Sequence, residues 1–342
     1  MMGAVVVNLK SKIWDYYNIF LMEKKGNGRN LKLDSLKVFL IIVVILGHVI
    51  GNDNFDVVNK CCRTFIYSFH MPLFILLSGY FTKIKNNNYI FWKDILKIGL
   101  PLCIFQGINI LLIVLNGGTV GKIMLFIPYW TLWYLLSLIF WKIILQYSPN
   151  RLLNSPFLYL FIAIIVSIFS GLMPYGRILS IQRTFNFFPF YLMGFYLQNR
   201  EFIIPRFRMD KMLYIGMISI IMILIIFDLY PQKQSILLRG ADNYGLYDIP
   251  SKIYLLLCAF ILTIAFYKLS KENRFLAYIG QNSLFYYLYH GLIIEYILYP
   301  IIDYLGFPQS FLFMILYTLF IIGVICLLSK MKLFRIIINP IA

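Results

Sequence analysis

Residues 33–50 read LDSLKVFLIIVVILGHVI. Apart from Asp34, Ser35 and Lys37 at one end and Gly47 and His48 near the other, every position is Val, Ile, Leu or Phe. The run approaches the roughly 20 residues that a helix needs to cross a bilayer. At about 100° per residue, Lys37 and His48 fall about 20° apart on the helix wheel and about 16 Å apart along the axis. Asp34 and Asn52 lie within about 40° of the same line. A polar stripe down an otherwise apolar helix marks a membrane segment with a functional face, because ionisable groups at membrane depth are costly. Bland roles compete for its first residues: Asp34 as the N-cap of the helix, and Lys37 as a lysine snorkelling to the interface.

The rest of the chain has the same character. Of its 342 residues, 61% are apolar or aromatic and only 13% charged, where soluble domains hold roughly 45–50% and about 25%. With a mean hydropathy of +0.79, a soluble globular fold, a disordered chain and a β-rich secreted module are excluded. The net charge of +17 points to loop asymmetry in a membrane protein, not to a nucleic-acid partner. Cys61, Cys62, Cys103, Cys258 and Cys326 show neither a disulfide framework nor zinc spacing, and no metal is expected.

Ten apolar runs are expected as helices, at 35–52, 65–82, 95–115, 124–146, 156–172, 184–198, 212–230, 252–268, 282–301 and 311–329. The loops between them sort into two alternating sets, and the set that contains both termini holds 23 of the 31 Lys and Arg residues. The acidic residues divide almost evenly, so the bias belongs to the basic residues, as the topology rule requires. The expectation is an all-α, multi-pass protein of the cytoplasmic membrane with both termini inside: a cytoplasmic arm over 1–33, a membrane domain over 34–330 and a tail over 331–342.

All three histidines, His48, His70 and His290, fall inside these runs. In the expected orientation His48 and His70 lie level in the outer half, and Arg63 precedes His70 by two helical turns on nearly the same side. Pro72 interrupts the second run, where a freed carbonyl needs a neighbour or cavity water, and Ser78-Gly79 reads as a close-packing spot between helices. Glu295 follows His290 by five residues, some 140° round a regular helix, so the two are not expected to share a face. Trp130, Trp133 and Tyr134 fit either an aromatic belt or a surface for stacking sugars. Arg177, Arg183, Arg239, Asp242 and Asp248 fall in outer loops.

These segments together resemble the acyltransferase-3 family of integral membrane acyltransferases, in particular the fucose 4-O-acetylase-like sugar O-acetyltransferases. The resemblance is carried by Leu33-Asp34-Ser35-Leu36-Lys37 running on to Gly47-His48, by Phe69-His70-Met71-Pro72-Leu73-Phe74 with Ser78-Gly79-Tyr80-Phe81, and by Pro128-Tyr129-Trp130-Thr131-Leu132-Trp133-Tyr134. Phe188-Pro189-Phe190-Tyr191-Leu192-Met193-Gly194 and Ile279-Gly280-Gln281-Asn282-Ser283-Leu284 through Tyr289-His290 complete it.

It implies a ten-helix enzyme that takes an acyl group from cytosolic acyl-CoA and places it on a hydroxyl of an extracytoplasmic or lipid-linked glycan. The family's essential first-helix histidine maps onto His48. Many members carry Arg eleven residues earlier, where this chain has Lys37, which keeps the charge and loses the bidentate fork. On this reading acetyl-CoA is the co-substrate, its phosphates held by Lys37, Lys93 and Lys97 and its pantetheine arm lying along the stripe. His48 is the general base or a transient acyl carrier, His70 orients the acceptor or polarises the thioester, and Arg63, Trp133, His290 and Glu295 contact the acceptor. The competing classes are a proton-coupled transporter or flippase of a lipid-linked sugar, and a polysaccharide-export accessory protein.

Overall fold

The computed structural model describes residues 30–51, 57–173, 176–198, 243–273 and 282–338, together with Gly216, Gly240, Leu276 and Gly280. Apart from Gly216, the expected helix at 212–230 lies outside this set, as do most of the N-terminal arm, Asn52, Arg239 and Asp242. Among the described residues the fold is all-helical: α1 Leu31–Val49, α2 Val57–Tyr80, α3 Asn88–Leu115, α4 Trp133–Gln146, α5 Pro156–Phe169, α6 Ile181–Gln198, α7 Ile249–Leu269, α8 Ser283–Ile293, α9 Tyr299–Leu305, α10 Phe311–Leu328 and α11 Lys332–Ile338. A π-helical turn, Ile294–Leu298, joins α8 to α9.

Among the described residues four segments are long and apolar enough to cross a bilayer: α2, α3, Leu246–Leu269, which contains α7, and α10. The stretches Trp130–Gln146 and Pro156–Leu172 are shorter but equally apolar. On α3 and α10 large aliphatic side chains such as Leu111, Leu115, Leu312, Leu319 and Leu327 remain exposed, which is the pattern of helices bathed by lipid. The protein is a membrane protein.

Local chemistry sets the helix ends. Asn30, not Asp34, caps α1, its side chain accepting from the Leu33 amide at 3.2 Å. Asp34 sits in the first turn instead, where its carboxylate meets Lys37 Nζ at 3.0 Å. Asn87 caps α3 by accepting from the amides of Tyr89 and Ile90, and Gly306 closes α9 in the left-handed region, at φ +62°.

α2 is the central helix, packed against α1, α6 and α7. Its crossing with α6 is backbone on backbone: a methyl group on Gly79 would overlap the carbonyl oxygen of Tyr191, and one on Gly194 that of Leu76. The Ser78-Gly79 pair is therefore a close-packing spot, as its sequence suggests. Hydrogen bonds between helices add to it, from Tyr191 Oη to Thr82 Oγ1 at 2.9 Å, between Ser78 Oγ and Tyr134 Oη at 2.6 Å, and from Trp141 Nε1 to the Thr184 carbonyl at 2.7 Å. With no hydrophobic drive between helices in lipid, close approach and such bonds hold them together.

Candidate active site

α1 ends one residue after His48. Gly51 turns the chain at φ +62°, and α1 meets α2 closely there, because a methyl group on Gly47 would come within 2.8 Å of the Ile66 side chain. The imidazole of His48 is only half-buried. Its Nδ1 lies 3.5 Å from Tyr67 Oη, the Trp130 ring meets it edge-on at 5.0 Å, and the His290 ring centre is 5.3 Å away. His70 reaches the same cluster through Tyr67, at 4.9 Å between ring centres.

Both buried histidines are held in one orientation. His70 Nδ1 donates to the Ile66 carbonyl at 2.7 Å, and His290 Nδ1 donates to the Tyr287 carbonyl at 2.6 Å. A carbonyl can only accept, so in the neutral rings Nδ1 carries the proton and Nε2 presents a lone pair. His290 Nε2 is buried with no hydrogen-bond partner among the described residues.

His48, Tyr67, His70 and Trp130 line a cavity of about 450 Å³, and Arg183, Glu295, Tyr299 and Asp303 complete its polar wall. This volume falls within the usual range for a small-molecule site, roughly 300–1,000 Å³. Trp130 reaches the cavity because the run expected as a helix from 124 is irregular until Trp133. A 3₁₀ turn at Trp130–Leu132 leads in, with Trp130 itself at φ +37°. Gln106 of α3 holds this loop by donating to the carbonyls of Met124 and Ile127, each at 3.1 Å, and accepting from the Tyr129 amide at 2.8 Å. On the other side the π turn carries Glu295, which lines the cavity with Tyr299 and Asp303 of the following helix and accepts from Tyr129 Oη at 3.4 Å.

The remaining expected residues divide. Arg63 sits over the Tyr67 ring at 5.2 Å, behind the cavity and not on its lining. Trp133 lines the cavity but is 8% exposed, with Phe187 stacked on it at 5.5 Å and the Arg183 guanidinium 4.8 Å from its ring centre, so it offers almost no free surface for a sugar. Lys37 lies at the far end of α1, on Asp34 and 3.9 Å from the Phe81 ring centre. Lys93 and Lys97 are exposed near that end, Lys97 at 3.9 Å from Asp94, beside a narrow cleft lined by Lys83, Lys85 and Lys142. Between Lys37 and His48 the stripe runs over Ile41 and Val44, 5% and 4% exposed. That face of α1 is packed, and the cavity does not extend along it to Lys37. Among the described residues no three His, Cys, Asp or Glu side chains are grouped to hold a metal ion.

A family model described as an acyltransferase domain matches residues 30–330. The chain belongs to the acyltransferase-3 family. It is a membrane protein of that family, and the cluster around His48 lies within the matched domain. The chain is also 41% identical over 61 residues to the nodulation protein NolL of Sinorhizobium fredii, a stretch covering 16% of each chain. No solved structure matches it.

Proposed function

We propose that this acyltransferase moves an acetyl group from cytosolic acetyl-CoA to a hydroxyl of an extracytoplasmic or lipid-linked glycan, as a ten-span enzyme of the fucose 4-O-acetylase-like branch with both termini in the cytoplasm. The observation that carries the reading is His48: a half-buried imidazole at the end of α1, lining a cavity of about 450 Å³ beside Tyr67 and Trp130. In the reaction the acceptor hydroxyl gives its proton to His48 while its oxygen bonds to the thioester carbonyl carbon. The C–S bond then breaks, and the proton passes from His48 to the departing thiolate. Imidazole is the side chain best matched to both transfers near neutral pH. His70, with its Nε2 lone pair, serves by accepting from a neighbouring hydroxyl of the acceptor, since a neutral ring so fixed has no proton to offer a thioester carbonyl.

Lys37, Lys93 and Lys97 hold the phosphates of the donor at the other end of α1. Because Ile41 and Val44 fill the direct face, the thioester arm reaches His48 past another side of α1 or when α1 parts from its neighbours. The gathering of ionisable groups at one end, with packed apolar residues below, supports an enzyme over a proton-relaying transporter, which needs polar groups along a path. The test is transfer from acetyl-CoA to glycan by the purified protein in nanodiscs, with the product weighed by mass spectrometry. His48→Ala at normal membrane expression is expected to abolish acetylation, and persisting acetylation would overturn the reading.

A further inference from the structure

The cavity around His48 has two unlike walls. α6 contributes Arg183, whose guanidinium is turned onto the indole of Trp133. The segment after α8 contributes Glu295, half-buried within, and Asp303, exposed at the rim. The formally charged side chains on the lining are therefore two carboxylates and one guanidinium that already lies over an aromatic face. A narrow cleft with low-dielectric walls strengthens the field of such groups.

We infer that the acceptor unit entering this cavity is an uncharged sugar ring, and that Glu295 and Asp303 select it against anionic sugars. The inference rests on the reading of the cavity as the acceptor site of an O-acetyltransferase. Carboxylates accept hydrogen bonds from hydroxyls, which an uncharged ring supplies. A uronate or a phosphorylated ring in the same place meets two carboxylates against one guanidinium already placed on Trp133, and the net repulsion discriminates partners that attraction alone does not. Any phosphate of a lipid-linked acceptor then stays outside the rim.

The experiment uses the full-length protein in nanodiscs with acetyl-CoA and matched acceptor pairs: methyl glycosides of glucose, galactose and mannose, the corresponding uronic acids, and the corresponding amino sugars. The expected result is transfer to at least one uncharged glycoside, with kcat/KM for its uronate at least about tenfold lower. In the double variant Glu295→Gln, Asp303→Asn that gap is expected to close by at least about threefold. The ratio between acceptors within one preparation is insensitive to partial misfolding. Preference for a uronate or an amino sugar, or an unchanged ratio in the double variant, would overturn the inference alone. Absence of transfer to every sugar would remove the acceptor-site reading beneath it as well.

Discussion

The hydroxyl of Tyr299 donates to the backbone carbonyl of His48 at 2.7 Å. This carbonyl lies in the last turn of α1 and also accepts from the Gly51 amide at 3.1 Å, and the bond from Tyr299 ties the end of α1 to the first residue after the π turn. The histidine is thus held from behind its own backbone while its ring lines the cavity beside Tyr67 and Trp130. Tyr299→Phe removes only this donor. The expected outcome is a fall of about tenfold in kcat with KM for acetyl-CoA unchanged, and a loss of about 1 kcal/mol in stability. Steady-state kinetics and thermal unfolding in micelles check both, and an unchanged kcat would show that the bond does not position His48.

Lys37 allows donor binding to be separated from stability. Its ammonium pairs with Asp34, whose side chain is 6% exposed, so Lys37→Ala leaves a buried carboxylate without its lysine, which costs about 3 kcal/mol. The double variant Asp34→Asn, Lys37→Gln removes both charges together and is expected to recover most of that stability. If Lys37 holds a donor phosphate, KM for acetyl-CoA stays raised by about tenfold in the double variant, and Lys37→Arg stays near wild type. A KM that recovers along with stability would assign Lys37 a purely structural role.

The crossing of α2 and α6 gives a sharp contrast between glycines. At Gly79 and Gly194 an added methyl group meets backbone carbonyls of the other helix, which cannot swing aside as a side chain does. Gly79→Ala or Gly194→Ala is expected to destabilise by about 3 kcal/mol or more, seen as poor recovery or a lowered Tm in detergent. Gly107 on α3 has nothing within 4 Å, so Gly107→Ala is expected to be neutral or to stabilise by up to about 1 kcal/mol.

Most of the described helices were legible in the sequence because they are runs of apolar residues between polar breaks, and burial or lipid contact rewards that pattern directly; α11 was not, since it lies in the stretch expected as a tail. His48 and His70 were legible for the complementary reason: a titratable ring within such a run has no apolar explanation. What escaped was set by contacts between distant segments. Trp130 enters the site because Gln106 fixes an irregular loop that composition alone reads as helix. Glu295, already expected at the acceptor, lies on a π turn that a fixed 100° step does not anticipate. Tyr67, Tyr299 and Asp303 carry no local signal separating them from the many other aromatic and rim residues of the chain, and Arg183, expected in an outer loop, lies in the first turn of α6. The stripe from Lys37 to His48 suggested an open path, but Ile41 and Val44 on the same line are packed.

Orientation decides which side of the membrane supplies each substrate, and two exposed positions test it. Lys93 lies on α3 near the end of α1 that carries Lys37. Arg177 lies in the segment whose Leu179 amide donates to the Phe126 carbonyl at 2.8 Å, beside the loop that holds Trp130 over His48. The concentration of 23 of the 31 basic residues in the loops that alternate with the Arg177 side leads to the prediction that Lys93 faces the cytoplasm. With the five native cysteines replaced by serine, Lys93→Cys is expected to react with a membrane-impermeant maleimide only after permeabilisation, and Arg177→Cys in intact cells. The reverse pattern would put the His48 cavity on the cytosolic side. An extracytoplasmic acceptor could then not enter it directly, and both the donor and the acceptor would have to be cytosolic.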